Sequence, residues 1–266
     1  MAVLPEICVP TDRSALHLPD VTLCAATSVN VEATLVALRA SLAQITFGEC
    51  LLLTDADVDP GDARIRVVRI APLQSSAAYS DFILTGLVDH IATSHCLLTQ
   101  WDGHVLDDTR WQQAFLDYDY IGASWPQFAD GHDVGNGGFS LRSRRLMIAC
   151  RSPDFQPVHP EDIAVGRVNR PWLEQQGMRF APRALADSFS AERAGDVAHA
   201  FGYHGVFNMP HALGVDRFWS IYRGLDYHGI IPKDFWPLVR QMSKGRGGWI
   251  RGLRMMADRV RAACHA

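Results

Sequence analysis

No run of the chain stays apolar for long. The longest, such as CLLLT at 50–54, are strand-sized, far short of the roughly 20 residues that span a bilayer. The opening MAVLPEICVPTDR lacks the basic segment followed by an apolar stretch that marks a secretory leader, so a cytoplasmic protein is expected. The six cysteines, at 8, 24, 50, 96, 150 and 264, form no CxxC pair, and several sit in apolar segments as small hydrophobes. HExxH is missing, which removes the zinc-protease class, and GxSxG is missing, which removes the usual α/β-hydrolase nucleophile. Neither a GxxxxGK[ST] phosphate loop nor a dinucleotide glycine pattern occurs. Excess positive charge is lacking too: the net charge of −4 and pI of 6.2 argue against a nucleic-acid binder.

What is present describes a globular enzyme-sized chain. Its 266 residues are 48% hydrophobic and 20% charged, enough for one large domain, or one with a short appendage, without disulfides or a structural metal. Charge is unevenly spread. From Arg240 onward there are seven Lys/Arg against the single acid Asp258, so that segment is basic and the rest strongly acidic.

Strand and helix patterns alternate along the first half. VTLCAAT (21–27), CLLLT (50–54), RIRVVRI (64–70) and HCLLTQ (95–100) predict strands. Val31, Leu35, Leu38, Leu42 and Ile45 predict a helix over 29–44; Phe82, Leu84, Leu87, Val88 and Ile91 predict another over 80–95. Helix-compatible segments recur at 108–117, 143–151 and 161–176, and strand-like ones at 119–123 and 138–142. The βαββαβ order predicts an α/β fold with parallel strands, its site at their carboxyl ends. The turn-rich stretch after Met209 divides a main domain, 1–209, from a C-terminal extension, 210–266.

Four segments have the composition of a site. In TQWDGHVLDD (99–108), an apolar strand runs into Gln100, Trp101, Asp102 and Gly103, where a carboxylate can hold a divalent cation against phosphates. Taken alone, an Asp-Gly turn followed by helix-capping Asp107 and Asp108 is the simpler account. In DVGNGGFSLRSRRLM (133–147), Gly135, Gly137 and Gly138 flank Asn136 ahead of Phe139 and allow close backbone approach to a ligand, or simply turn into an edge strand. In HPEDIAVG (159–166), Glu161 and Asp162 either favour a helix N-terminus or serve as a base and its orienting partner. In AFGYHG (200–205), His204 sits among aromatics and glycines. His90, His95, His132, His159, His199, His211 and His228 are taken as structural or surface residues.

In this order, YDYIGASWP (118–126), VGNGGFSLRSRRLM (134–147), PED (160–162) and FGYHG (201–205) resemble the GT-A type glycosyltransferases. Within that group the closer likeness is to a mainly bacterial family of domains of unknown function. The likeness covers roughly 20–210, and 118–147 is its most specific block. It implies a Rossmann-like mixed central sheet flanked by helices, a nucleotide-sugar donor, and Mn²⁺ or Mg²⁺ held by an acid-x-acid motif. That motif here reads Gln100-Trp101-Asp102, which shifts metal binding onto Asp102 with His204. The likeness further places Asn136, Gly137, Gly138 and Phe139 along the acceptor and sugar pocket. It makes Asp162 or Glu161 the base of an inverting transfer. Thr27, Asn30, Thr54 and Asp55 follow the first two strands, where base and ribose are seated, and Tyr79 and Ser80 approach the donor.

The implied activity is hexosyl transfer to a glycan or lipid-linked acceptor in surface-polysaccharide assembly, with 126–134 closing as a lid. A catalytically silent nucleotide-sugar-binding module, and a metal-dependent nucleotidyltransferase or phosphohydrolase, are the competing expectations. Finally, GWIRGLRMMADRVRAA (248–263) gathers Trp249, Ile250, Leu253, Met256, Val260 and Ala263 on one helical side among arginines. Such a helix either packs that side on the domain or lies on an anionic membrane at the cytoplasmic face.

Overall fold

The structure, a computed structural model, describes residues 16–264. The N-terminal residues 1–15, with Cys8 and the opening stretch discussed above, and the side chain of Ala263 lie outside the described residues.

Strand β1 (Leu16–Ala26) begins ahead of the VTLCAAT segment, and its register against the next strand shifts between Leu18 and Thr22. Pro19 lies at that shift, where its missing N–H costs no ladder bond. Helix α1 (Val31–Leu42) buries Val31, Leu35, Leu38 and Leu42, the stripe its spacing predicts. Ile45, expected to end that stripe, instead opens β2 (Ile45–Thr54). There the chain buries Ile45 and Phe47 and exposes Thr46 and Gly48, a period of two that the apolar run further on had hidden. Strand β3 (Ile65–Arg69) follows.

The second helix starts before residue 80, because Ser75 caps α2 (Ser76–Asp81) by accepting from the Ala78 N–H at 3.1 Å. It continues through a π turn, Phe82–Gly86, and a 3₁₀ turn, Leu87–His90. The wider π turn shifts the buried face, so Ile83 is buried where Phe82 was expected. Then come β4 (His95–Thr99) and the short β5 (His104–Val105). The helix expected over 108–117 is two 3₁₀ turns, because Trp111 lies extended between them and packs edge-on against Phe115 and Phe201.

Strands β6 (Tyr120–Ile121) and β7 (Phe139–Ser143) and helix α3 (Arg144–Ala149) follow. The helix expected over 161–176 is broken into α4 (Glu161–Ile163), a π turn and α5 (Arg170–Gln175). The break falls at Asn169, whose buried side chain bonds both the N–H and the C=O of Gln156. Beyond it lie α6 (Arg183–Phe189), β8 (Ser190–Ala191), β9 (Gly202–Tyr203), α7 (Met209–Leu213), α8 (Val215–Arg223), α9 (Pro232–Met242) and α10 (Gly248–Cys264).

These elements form a mixed α/β fold. The central sheet runs β3-β2-β1-β4-β7-β6, with β3, β2, β1 and β4 parallel and β7 antiparallel to both its neighbours. A small sheet, β5-β9-β8, lies beyond the carboxyl end of β4. The order reverses at β1: α1 leads to β2 on one side, and the α2 crossover returns to β4 on the other. A crevice therefore opens at the carboxyl ends of β1 and β4, the switch point where open α/β sheets bind ligands.

Phe115, Phe139, Phe189 and Phe201 fill one end of the main core. A second core is shared across the boundary expected after Met209, joining Ala33, Ala200 and Tyr203 to Phe218, Tyr222, Phe235 and Met255. Cys24, Cys50, Cys96 and Cys150 are free and buried, as expected of small hydrophobes. Among the described residues no helix is long and apolar enough to cross a membrane.

The shared core carries a prediction. Because Phe218 is fully buried in it, Phe218→Ala should cost about 3–5 kcal/mol. Urea unfolding should remain one transition, since main domain and extension melt together. Two separated transitions would mean that the extension folds by itself.

Candidate functional site at the strand switch point

A cavity of about 620 Å³ occupies the crevice, lined by Thr27, Asn30, Leu73, Tyr79, Gln100, Trp101 and Tyr227 among others. Its volume falls within the range of small-ligand pockets. Each lining residue is there for a backbone reason. Thr27 leaves β1 and turns the chain, accepting from the Val29 N–H at 3.2 Å. Asn30 takes a left-handed conformation (φ 54°) at the start of α1. Its amide clamps Tyr227 at both backbone groups, at 2.9 and 3.1 Å, so the extension closes one side of the cavity. Gln100 follows directly on β4, and its amide donates to the Tyr79 hydroxyl at 3.0 Å. Burial pushes the Tyr79 phenol well above its ordinary pKa, so it stays a neutral partner.

Beside the cavity, Gln100 Oε1 and Asp102 Oδ1 approach the same ring nitrogen, His204 Nε2, at 3.3 and 3.4 Å. Glu192 approaches the other, Nδ1, at 3.6 Å. At these lengths the carboxylates make ion-pair contacts, and both Asp102 Oδ1 and His204 Nδ1 are buried without a hydrogen-bond partner. Burial works against an imidazolium here, but the charges of Asp102 and Glu192 outweigh it and push the His204 pKa up to about 10. Among the described residues no group of three or more His, Cys, Asp and Glu is arranged to hold a metal ion. An unpartnered carboxylate oxygen, an imidazole nitrogen and an amide oxygen nevertheless converge. They fit a cation that displaces the proton these carboxylates hold on the imidazole and takes its remaining ligands from water and phosphate, with Glu192 orienting the ring from behind.

The glycine block joins this cluster to the acidic pair. A Cβ on Gly138 would collide with the His204 ring, and one on Gly137 with Glu161 Oε1. Backbone alone therefore separates the two clusters, and only glycine permits both approaches. Asn136 Oδ1 accepts from the Gly138 N–H at 3.0 Å and fixes the turn. Of the acidic pair, Glu161 is committed: it is buried against Arg142 of β7 at 2.9 Å. Its N–H donates to Ser80 Oγ at 3.2 Å. Asp162 is less covered, and burial with the neighbouring Glu161 charge raises its pKa from 3.8 to about 6.

Not every expected residue arrives. Thr54 is fully buried, with its hydroxyl accepting from the Ala56 N–H at 3.2 Å. Neither it nor Asp55 lines the cavity, although Asp55 Oδ1 is buried without a partner. The Phe139 ring, expected along the acceptor pocket, is fully buried and packs on Phe189 and Phe201. Gly103 allows β5 to approach the Tyr203 carbonyl. Segment 126–134 is tied down where a lid was expected: Arg167 pairs with Asp130 at 2.7 Å and Arg183 with Asp133 at 3.0 Å. His159 is structural, as read, since its ring bonds Ser80 at 2.8 Å and Ser76 at 3.3 Å and holds the acidic loop on α2.

Sequence reasoning missed Glu192, Arg142 and the Tyr227–Ile230 strap. None left a clear signal: in FSLRS, Arg142 shares the polar side of the alternation with Ser140 and reads as solvent-facing, whereas the strand is buried on both faces.

The chain belongs to the family described as protein of unknown function, DUF5672, which matches residues 62–204, more than half its length. The match runs from the edge of β3 to His204 and takes in Tyr79, Asp102, the glycine block and the acidic pair. No curated protein matches the chain.

Two substitutions separate structure from site. Arg142→Met strands the buried Glu161 carboxylate and should cost roughly 3–5 kcal/mol in urea unfolding. Gly138→Ala should leave stability within about 1–3 kcal/mol of the parent, while displacing the His204 ring and shifting its imidazole resonances in NMR. Unchanged resonances would mean that the ring does not rest on this glycine.

Proposed function

We propose that this DUF5672 protein is a GT-A type glycosyltransferase, moving a hexose from a nucleotide sugar to the hydroxyl of a glycan or lipid-linked acceptor. The observation that carries the proposal is convergence. Three of its elements meet at the strand switch point: the 620 Å³ cavity, the Gln100/Asp102/His204 donor set, and Asp162 across the Gly137–Gly138 backbone.

The cavity suits the nucleoside, with Tyr79 and Trp101 beside it. Asp102 and His204, with Gln100, would hold Mn²⁺ or Mg²⁺, which neutralises the donor's diphosphate when bound. Asp162 takes the acceptor hydroxyl's proton as the acceptor oxygen bonds the anomeric carbon. The carbon–diphosphate oxygen bond breaks, and the nucleoside diphosphate leaves. Attack opposite the leaving group inverts the anomeric centre. Glu161, neutralised by Arg142, positions Asp162 and takes no proton.

One observation favours a second role, that of a binding module without turnover. Gln100 stands where an acid would complete the metal motif, and its amide is already used between Tyr79 and His204.

Calorimetry with a panel of nucleotide sugars and Mn²⁺ tests the proposal. At least one donor should bind, and added acceptor should release nucleoside diphosphate. Failure of every donor to bind folded protein would sink it; binding without turnover selects the module. Release of pyrophosphate or phosphate selects nucleotidyl transfer or phosphohydrolysis. Asp102→Ala should lose metal-dependent donor binding and keep the fold.

Asp162→Asn should bind donor normally and transfer roughly 10²–10⁴-fold more slowly. In the parent, the rate should rise with pH through about 6, where Asp162 ionises. Its folded pKa lies above the ordinary value. The stability it contributes is therefore full below about 4 and lost as pH rises through about 6. Asp162→Asn should accordingly be the more stable protein at pH 7, by on the order of 1–3 kcal/mol. An equal or lower urea midpoint at pH 7 would remove Asp162 from the role of strained base.

A further inference from the structure

The C-terminal helix is packed the opposite way round from an ordinary amphipathic helix. Its apolar stripe faces outward: Trp249 is 66% exposed, Ile250 54%, Leu253 53% and Val260 64%. The face against the body consists of Gly248, Gly252, Met255 and the buried carboxylate of Asp258. Polar anchors fix this orientation. Arg251 donates to the Met242 and Lys244 carbonyls, both at 2.9 Å. Arg259 donates to the Ile230 carbonyl at 3.1 Å and lies over the Phe235 ring. A Cβ on Gly252 would collide with Ser243, so the helix sits close to its neighbour through glycine. Rotation to bury the stripe would break these contacts.

An apolar stripe held in water by polar anchors calls for a covering surface. We propose that α10 docks this chain on an anionic lipid bilayer, lying in the interface with Trp249, Ile250, Leu253, Met256 and Val260 among the acyl chains. The surrounding charge selects the lipid. Arg254 and Arg261 flank the stripe, sharing Asp258 at 3.1 and 3.4 Å, and the exposed Lys244 and Arg246 precede it. A narrow stripe edged by cations is the pattern of an interfacial helix. Five side chains on one helix fall well short of the roughly 20–30 residues a side of a stable protein interface. Docking would also reach the candidate site, because Ile230, held by Arg259, lines the cavity.

Sedimentation with phosphatidylcholine vesicles, with and without phosphatidylglycerol, tests this on the full chain. The chain should pellet with phosphatidylglycerol vesicles at low salt, far less at high salt, and not with phosphatidylcholine alone. Leu253→Glu with Val260→Glu should weaken this roughly tenfold or more without moving the thermal unfolding midpoint. Lys244→Glu with Arg246→Glu, outside the helix, should weaken it in the same sense. Pelleting unaffected by either pair, or indifferent to phosphatidylglycerol, would overturn the proposal. So would self-association in sedimentation equilibrium that the Leu253/Val260 pair abolishes while vesicle binding is absent.

Discussion

A guanidinium placed inside a sheet has to be neutralised, and much of the candidate site is arranged around that requirement. Arg142 projects from β7 with its side chain only 3% exposed, against the Tyr120 ring and the carboxylate of Glu161. A buried ion pair of this kind gives little net stability, but a half-broken one is costly, so both partners are held in register. Fixing Glu161 fixes Asp162 beside it, and it draws Gly137 close enough that no side chain fits between them. The neighbouring Gly138 then has to pass His204. One electrostatic obligation therefore sets the spacing between the acidic pair and the donor set around Asp102.

The sheet order supplies the rest. With β1 next to β4, the residues that leave those strands, Thr27 and Gln100, face the same crevice although more than seventy positions separate them. The small β5-β9-β8 sheet brings Asp102 and His204 together by pairing His104, two residues after Asp102, with Tyr203, the residue before His204. Glu192 arrives just beyond β8, on the far side of the imidazole. Strands of only two residues each thus determine which polar groups meet. The extension takes part as well, since the Asn30 amide holds Tyr227 at the cavity rim through both of its hydrogen-bonding groups.

Much of this organisation is legible in the sequence, for reasons local to each segment. The four parallel strands and the two covering helices announce themselves by apolar runs and a 3.6-residue period, and their order implies the crevice. The four polar segments stand out because loops of glycine, acid and histidine are unusual next to apolar strands. Boundaries were less legible wherever tertiary contacts overrode local preference: at Ile45, at the π turn that exchanged Phe82 for Ile83, and at Asn169, which serves Gln156 instead of a helix.

What the sequence by itself determined is therefore the α/β class, the strand order's consequences and the chemistry available in each loop. Only the tertiary structure decided how that chemistry is shared out. Glu161 and Asp162 are equivalent as letters, but one meets a buried guanidinium and the other does not. Phe139 looks like a pocket residue until two phenylalanines from distant segments, Phe189 and Phe201, claim its ring. Glu192 carries no local mark, because its role exists only opposite His204. On α10, periodicity defines an apolar side but says nothing of which side is covered. Close packing at Gly252 and hydrogen bonds from Arg251 and Arg259 decide that, and they turn the stripe outward.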